Sequence, residues 1–303
     1  MGSTIRIGMI GLDTSHCPAF TGILNDPEHP YHLPGARVVS AYPGGSELFS
    51  RSRDRVRGFT EELRSKYGLA ICDSIPELVE DVDAILLESV DGRQHLEQFR
   101  QAAVGKPVYI DKPLATSTTE ALEIAELAER TGTPIMSCSS LRYAAGIADL
   151  ADGNARVLSC EAFGPAALLD DYPGLFWYGI HGAEILFSMM GAGCQRVRCL
   201  GYPEIDVVIG EWADGRIGVL RGTRFERGDF GCVVHTDQGT RCGIAESQPP
   251  YYLLLLREVL EFFRTGISPI DIRETLNIIS FLEGADVSRT QGGKVVSAAL
   301  ATS

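Results

Sequence analysis

IRIGMIGLDTSH, residues Ile5 to His16, holds a strand, a turn and the first step of a helix. Ile5, Ile7, Met9 and Ile10 make a short apolar run that stops at Gly11. A polar turn follows, and Pro18 to Leu24 then reads as helix. That order, so early in a chain, predicts the opening of a dinucleotide-binding unit. The turn keeps only the first glycine of the G-x-G-x-x-G pattern, because Gly11-Leu12-Asp13-Thr14-Ser15-His16 has an acid at the second glycine's place. A carboxylate pointing into the cleft would repel a pyrophosphate. One turned to cap the helix would leave Thr14, Ser15 and backbone N–H groups for the phosphates.

Downstream the same grammar repeats. Arg37 to Ala41, Val82 to Leu87, Val108 to Ile110 and Pro134 to Ser139 read as strands. Val56, Phe59, Leu63 and Tyr67 recur at helical spacing before Gly68, and Ser74 ahead of Pro76 and Glu77 is a helix start. Alternation up to about Ser140 predicts a Rossmann-like α/β domain with a doubly wound parallel sheet over residues 1–141. Beyond it strands dominate, with hairpin turns at Asp214-Gly215 and Gln238-Gly239. One helix, Gly179 to Met190, interrupts them, and helices return at Tyr251 to Arg264 and Asp271 to Arg289. Residues 142–303 are thus expected to form an α+β domain with a largely antiparallel open sheet. Its closing helices are free to pack back on the first domain.

Composition narrows the partners. The 303 residues carry 27 basic and 40 acidic side chains, a net charge of -13. This argues against nucleic acid or an anionic membrane surface as a partner. No apolar run approaches the ~20 residues that cross a bilayer, and the amino terminus runs straight into a strand, so we expect no signal peptide and a cytoplasmic location. Eight cysteines without a C-x-x-C pair read as reduced core thiols, with no metal site expected.

Ligands of open α/β sheets bind beyond the carboxyl ends of the strands. That rule collects Gly11 to His16, Tyr42 to Ser46, Ser89 to His95 and Asp111 to Pro113. The second strand ends in Tyr42-Pro43-Gly44-Gly45-Ser46, without the acid that binds the ribose hydroxyls of NAD. Arg51, Arg53, Arg55 and Arg57 follow, and read either as acceptors of a 2′-phosphate or as a solvated helix face. Lys112 stands between an acid and a proline straight after a buried strand, where a lysine can polarise a substrate oxygen or relay a proton. In the second domain His181 starts a helix within FWYGIHGAE, a wall of aromatics, glycines and one acid–base residue.

Taken together, these segments resemble the Gfo/Idh/MocA oxidoreductase family. IGMIGLDTSH (Ile7 to His16) lies on the family's nucleotide loop, and VDAILLESVDGRQH (Val82 to His95) on its strand, loop and helix-start histidine. GKPVYIDKPLA (Gly105 to Ala115) matches G-K-x-V-x-x-E-K-P-x-A, and the tail from Tyr251 is similar to the family's closing helices. The resemblance implies a two-domain enzyme using NAD or NADP on a hydroxyl or keto group of a sugar, cyclitol or similar polyol. It makes Lys112 and His181 the catalytic residues. Gly11, Asp13, Thr14, Ser15, His16, Ser46, Ser89, His95, Asp111 and Lys112 become cofactor contacts. Arg142, Tyr143, Asp170, Asp171, Tyr172, Trp177 and His181 become the substrate wall. It also implies a homodimer or homotetramer through the second-domain sheet, with Val197, Val207, Ile209, Val219 and Leu220 on the joining surface. Departures from the pattern keep two alternatives open: an NAD-assisted glycoside-cleaving or eliminating enzyme, and a non-catalytic member that has lost the cofactor. The chief departures are Asp13, Asp111 for the motif glutamate, and Trp177 for the acid four residues before His181.

Overall fold

The computed structural model describes residues 4–151 and 155–300. They fall into two compact units. The first takes the chain up to Ala115, then Thr119–Ser137 and Tyr252–Ile270. Its elements are β1 (Ile5–Ile10), α1 (His16–Asn25), β2 (Ala36–Tyr42), α2 (Ser50–Tyr67), β3 (Ala70–Ile71), α3 (Ile75–Glu80), β4 (Ala84–Leu87), α4 (His95–Ala102), β5 (Val108–Ile110), α5 (Thr118–Thr131) and β6 (Ile135–Met136).

The strands form one sheet in the order β3-β2-β1-β4-β5-β6, every pairing parallel. Strand order reverses between β1 and β4, the switch point where such sheets open a crevice. Ile7, Met9 and Ile10 of β1 and all of β4 and β5 are buried, as a sheet covered on both faces requires. Each such aliphatic side chain contributes about 1.5–3 kcal/mol. The expected caps are present: Ser74 accepts from Glu77 N–H, and Gly68 ends α2 in the left-handed region. The predicted strand Pro134 to Ser139 is shorter than expected, because only Ile135 and Met136 pair with β5.

The second unit holds β7 (Val157–Pro165), α6 (Gly179–Met190), β8 (Cys194–Gly201), β9 (Ile205–Trp212), β10 (Ile217–Thr223), β11 (Gly231–Thr236), β12 (Gly239–Ile244), α8 (Ile272–Thr290) and β13 (Val296–Ser297), while α7 (Tyr251–Thr265) returns to the first unit from Tyr252. Its sheet runs β12-β11-β7-β10-β9-β8-β13 and is antiparallel except for the β7–β10 pair. α6 and α8 cover one face. A side chain at Gly182 would strike Leu220 and one at Gly284 would strike Val197, which shows how closely the helices lie on the strands.

Strand alternation corrects the expected joining surface. Val197 and Leu220 point under the helices and are buried. Val207, Ile209 and Val219 lie on the other face and are half-buried.

Candidate functional site

In the first unit the parallel sheet places the polar residues. Each strand pairing extends one step past the strand: Glu88 N–H donates to Ile10 O (2.7 Å) and Asp111 N–H to Leu87 O (2.8 Å). Glu88 and Asp111 are therefore neighbours at the carboxyl ends of β4 and β5. His16, the first residue of α1, brings Nδ1 to 3.4 Å from Glu88 Oε2 and 3.0 Å from Asp111 Oδ2. All three are buried. Burial pushes His16 down, but the two carboxylates outweigh it and hold the imidazole well above its ordinary value. Burial pushes Glu88 up to about 7, whereas His16 and Lys112 overcome burial and hold Asp111 down. The sequence predicts no metal site, yet this trio has metal-ligand chemistry and spacing.

Asp13 takes neither predicted orientation. The amino terminus of α1 has no side-chain cap, so Asp13 is not the helix cap. Its carboxylate is fully buried and turned into the domain, where it accepts Ser52 Oγ–H (2.5 Å) and Val90 N–H (2.9 Å). Burial raises its pKa, a rise those two hydrogen bonds only partly offset. Asp13 thereby staples the loop after β1 to α2 and to the loop after β4. Ser52 Oγ also accepts Ser46 N–H (2.7 Å).

Ser46, an expected cofactor contact, gives its hydroxyl to Asp91 Oδ2 (2.6 Å), which Arg93 also engages. Burial pushes Asp91 up, but Arg93 and Ser46 more than offset this and lower it. His95 is likewise committed: Nδ1 lies 3.2 Å from Leu114 O and Nε2 2.7 Å from Ser89 O. Each ring nitrogen faces a backbone carbonyl, and the one that carries the proton donates to it. Ser15 is exposed at the tip of the turn and Thr14 lies beneath it. Replacing Asp13 with Ala leaves Val90 N–H and Ser52 without their acceptor and should cost about 2–3 kcal/mol. Urea unfolding checks this, and a shift below about 0.5 kcal/mol would remove Asp13 as a staple.

A nicotinamide dinucleotide fits this end of the sheet on two observations. Ser15 at the α1 amino terminus is exposed and makes no capping bond, and the Asp13 carboxylate is turned away. Lys112 follows Asp111 and is 9% exposed, so its ammonium sits in a shielded setting at the end of β5.

In the second unit His181 stands in the first turn of α6. Its Nδ1 lies 2.6 Å from Ser139 Oγ, and Tyr178 and Phe230 pack edge-on to the ring, each centroid 5.5 Å away. Trp177 is buried and packs edge-on against Tyr172, so it fills space where the family pattern has an acid. Arg142 is paired with Glu184 (3.2 Å) and with Glu274, which neutralises it before any substrate arrives. Glu184, one turn after His181 on α6, is spent on that pair. Tyr143 is half-buried, Asp171 half-buried and Asp170 exposed. Ser139, Glu274 and Phe230 were not foreseen, since nothing in their local sequence distinguishes them from other polar or core positions.

Comparison with known proteins agrees with this fold. Residues 5–138 match the Gfo/Idh/MocA model, described as an oxidoreductase family with an NAD-binding Rossmann fold. An inositol 2-dehydrogenase of Gluconacetobacter diazotrophicus is 38% identical over 120 residues, which is 38% of this chain and 35% of that protein's length. The crystal structure of a myo-inositol dehydrogenase from Lactobacillus casei, in complex with NAD(H) and myo-inositol, superposes with a TM-score of 0.76 at 16% identity, covering 99% of this chain and 98% of that one. A probable dehydrogenase from Thermotoga maritima gives 0.71 at 18% identity, covering 97% and 99%. At such identities the structures establish a shared two-domain fold. Residues 5–138 thus match the Gfo/Idh/MocA oxidoreductase family, and the chain shares its fold with these dehydrogenase structures along nearly its whole length.

Proposed function

We propose that the protein is an NAD(P)-dependent oxidoreductase acting on a hydroxyl or keto group of a sugar, cyclitol or similar polyol. The observation that carries this reading is Lys112, buried at the carboxyl end of β5 within a segment matched by an NAD-binding oxidoreductase family. The inositol dehydrogenases among the similar proteins support a cyclitol-like substrate.

The α1 amino terminus, with Thr14 and Ser15, holds the pyrophosphate of the dinucleotide. The bound nicotinamide supplies the hydride acceptor or donor. Lys112 has three donors on a flexible stem; it polarises the reacting oxygen and takes or returns its proton. His181, oriented by Ser139 and its aromatic neighbours, serves as an acid–base or substrate-binding group.

Nicotinamide absorbance followed across a panel of polyols, with NAD and NADP in parallel, tests the reading. Lys112→Ala is expected to lower kcat/KM by about 10²–10⁴, measured at a temperature where circular dichroism shows the variant folded. Absence of turnover on the whole panel, or a Lys112→Ala enzyme as active as wild type, would sink it.

A further inference from the structure

We propose that His16, Glu88 and Asp111 bind one divalent transition-metal cation of the manganese-to-zinc series. The placement comes from the fold: two carboxylates leave adjacent parallel strands side by side, and the first residue of α1 brings an imidazole to the same point. The ligand atoms all lie within 4.8 Å of one another. The two separations from Nδ1, 3.0 and 3.4 Å, match a donor–donor edge of about 3.0–3.4 Å around a cation bonded at ~2.1 Å.

A second observation sets the trio apart from an ordinary ion pair. Glu88 Oε1 and Oε2, Asp111 Oδ1 and Oδ2, and His16 Nδ1 are shielded from solvent, and none has an aligned hydrogen bond among the described residues. Nδ1 is at ion-pair distance from both carboxylates, but its ring N–H is aimed at neither. Buried carboxylate oxygens without directed donors are costly. A cation needs no such alignment. Two carboxylates and a neutral imidazole attract a divalent cation, with the nearby Lys112 ammonium offsetting part of their negative charge.

The imidazole is also held in place. It stacks on Phe20 (5.2 Å between centroids) and meets Tyr252 edge-on (4.8 Å). One nitrogen and carboxylate oxygens suit manganese, iron, cobalt or zinc, while the absence of thiolate in the trio disfavours copper(I). Three protein ligands leave coordination positions for water or a ligand oxygen. The inference is independent of the nicotinamide reading, because every donor belongs to the first unit and binding is measured without a dinucleotide.

The test uses the full chain, stripped with a chelator and titrated with Mn²⁺, Co²⁺ and Zn²⁺ by calorimetry, with metal content measured after desalting. One ion per chain is expected. His16→Ala and Glu88→Gln should each weaken binding by at least about tenfold. No retained or titratable metal, or binding unchanged in both folded variants, overturns the proposal. If the variants fail to fold, wild-type protein saturated with Co²⁺ gives the answer by proton NMR. A paramagnetically shifted imidazole resonance supports the site, and a cobalt-loaded chain without one overturns it.

Discussion

Gly11→Ala is expected to destabilise the first unit by about 2–5 kcal/mol, the sum of a backbone and a packing cost. Gly11 sits at φ +83°, in the left-handed region, where a Cβ costs about 1–2 kcal/mol. The same Cβ would lie 2.2 Å from Ser89 Oγ and 2.5 Å from both Ser89 N and Cα. A side-chain oxygen can rotate away, but the backbone of Ser89 cannot. It follows β4 directly, and its carbonyl accepts from His95. Overpacking of that kind costs typically 1–3 kcal/mol. Against a total of roughly 5–15 kcal/mol, this loss brings the unit near its unfolding threshold. Urea denaturation of Gly11→Ala, and of Gly11→Ala with Ser89→Gly, measures it. The second change removes only the hydroxymethyl group and should recover little. A single variant within ~1 kcal/mol of wild type would show that the loops after β1 and β4 are not locked together as described.

That contact explains why the fold was legible where the site was not. The parallel sheet is written in local runs: AILL and VYI are apolar throughout because both faces are covered, and the turns between them carry Ser, Gly and Pro at the expected places. β3 and β13 escaped notice because each has two residues, too few to show a period. The helices fared best, and Gly179–Met190 has the bounds its sequence implied.

Site geometry depends instead on residues far apart in the chain. Asp13 reads locally as a candidate helix cap. Its actual partners, Ser52 and Val90, come from α2 and from the loop after β4, and no spacing rule connects them. His16, Glu88 and Asp111 were each visible, two of them as expected cofactor contacts, but only the strand order brings them together. Glu88 stands between the expected strand, Val82 to Leu87, and the loop from Ser89, and its local sequence gives it no role. Trp177 was recognised as a departure from the family pattern. The hydroxyl that meets His181 comes from Ser139, which lies 42 residues earlier in the chain. Charge pairing hides in the same way, since the resemblance puts Arg142 on the substrate wall and only the fold supplies Glu184 and Glu274.

Removing that cation should have a large effect of a different kind. Arg142→Ala is expected to cost about 3–5 kcal/mol near neutral pH, because it leaves carboxylates buried without their partner. Glu184 is 2% exposed, and burial pushes it up to about 7 despite Arg142, with Glu274 adding to the rise. A carboxyl raised above its ordinary 4.5 binds a proton in the folded chain that the unfolded chain has already released. The stability it contributes is therefore complete below pH 4.5 and is lost as pH climbs through about 7. At about 1.4 kcal/mol per unit, the change amounts to roughly 3 kcal/mol in the wild type. Without Arg142 the ionised form of Glu184 loses its main support, so its pKa rises further and the penalty on the alkaline side grows. The difference in stability between Arg142→Ala and wild type should consequently be larger at pH 8 than at pH 5. Adding Glu184→Gln should remove most of that pH dependence. Guanidinium unfolding at the two pH values measures all three chains, and a difference independent of pH would show that Glu184 does not depend on Arg142 for its charge.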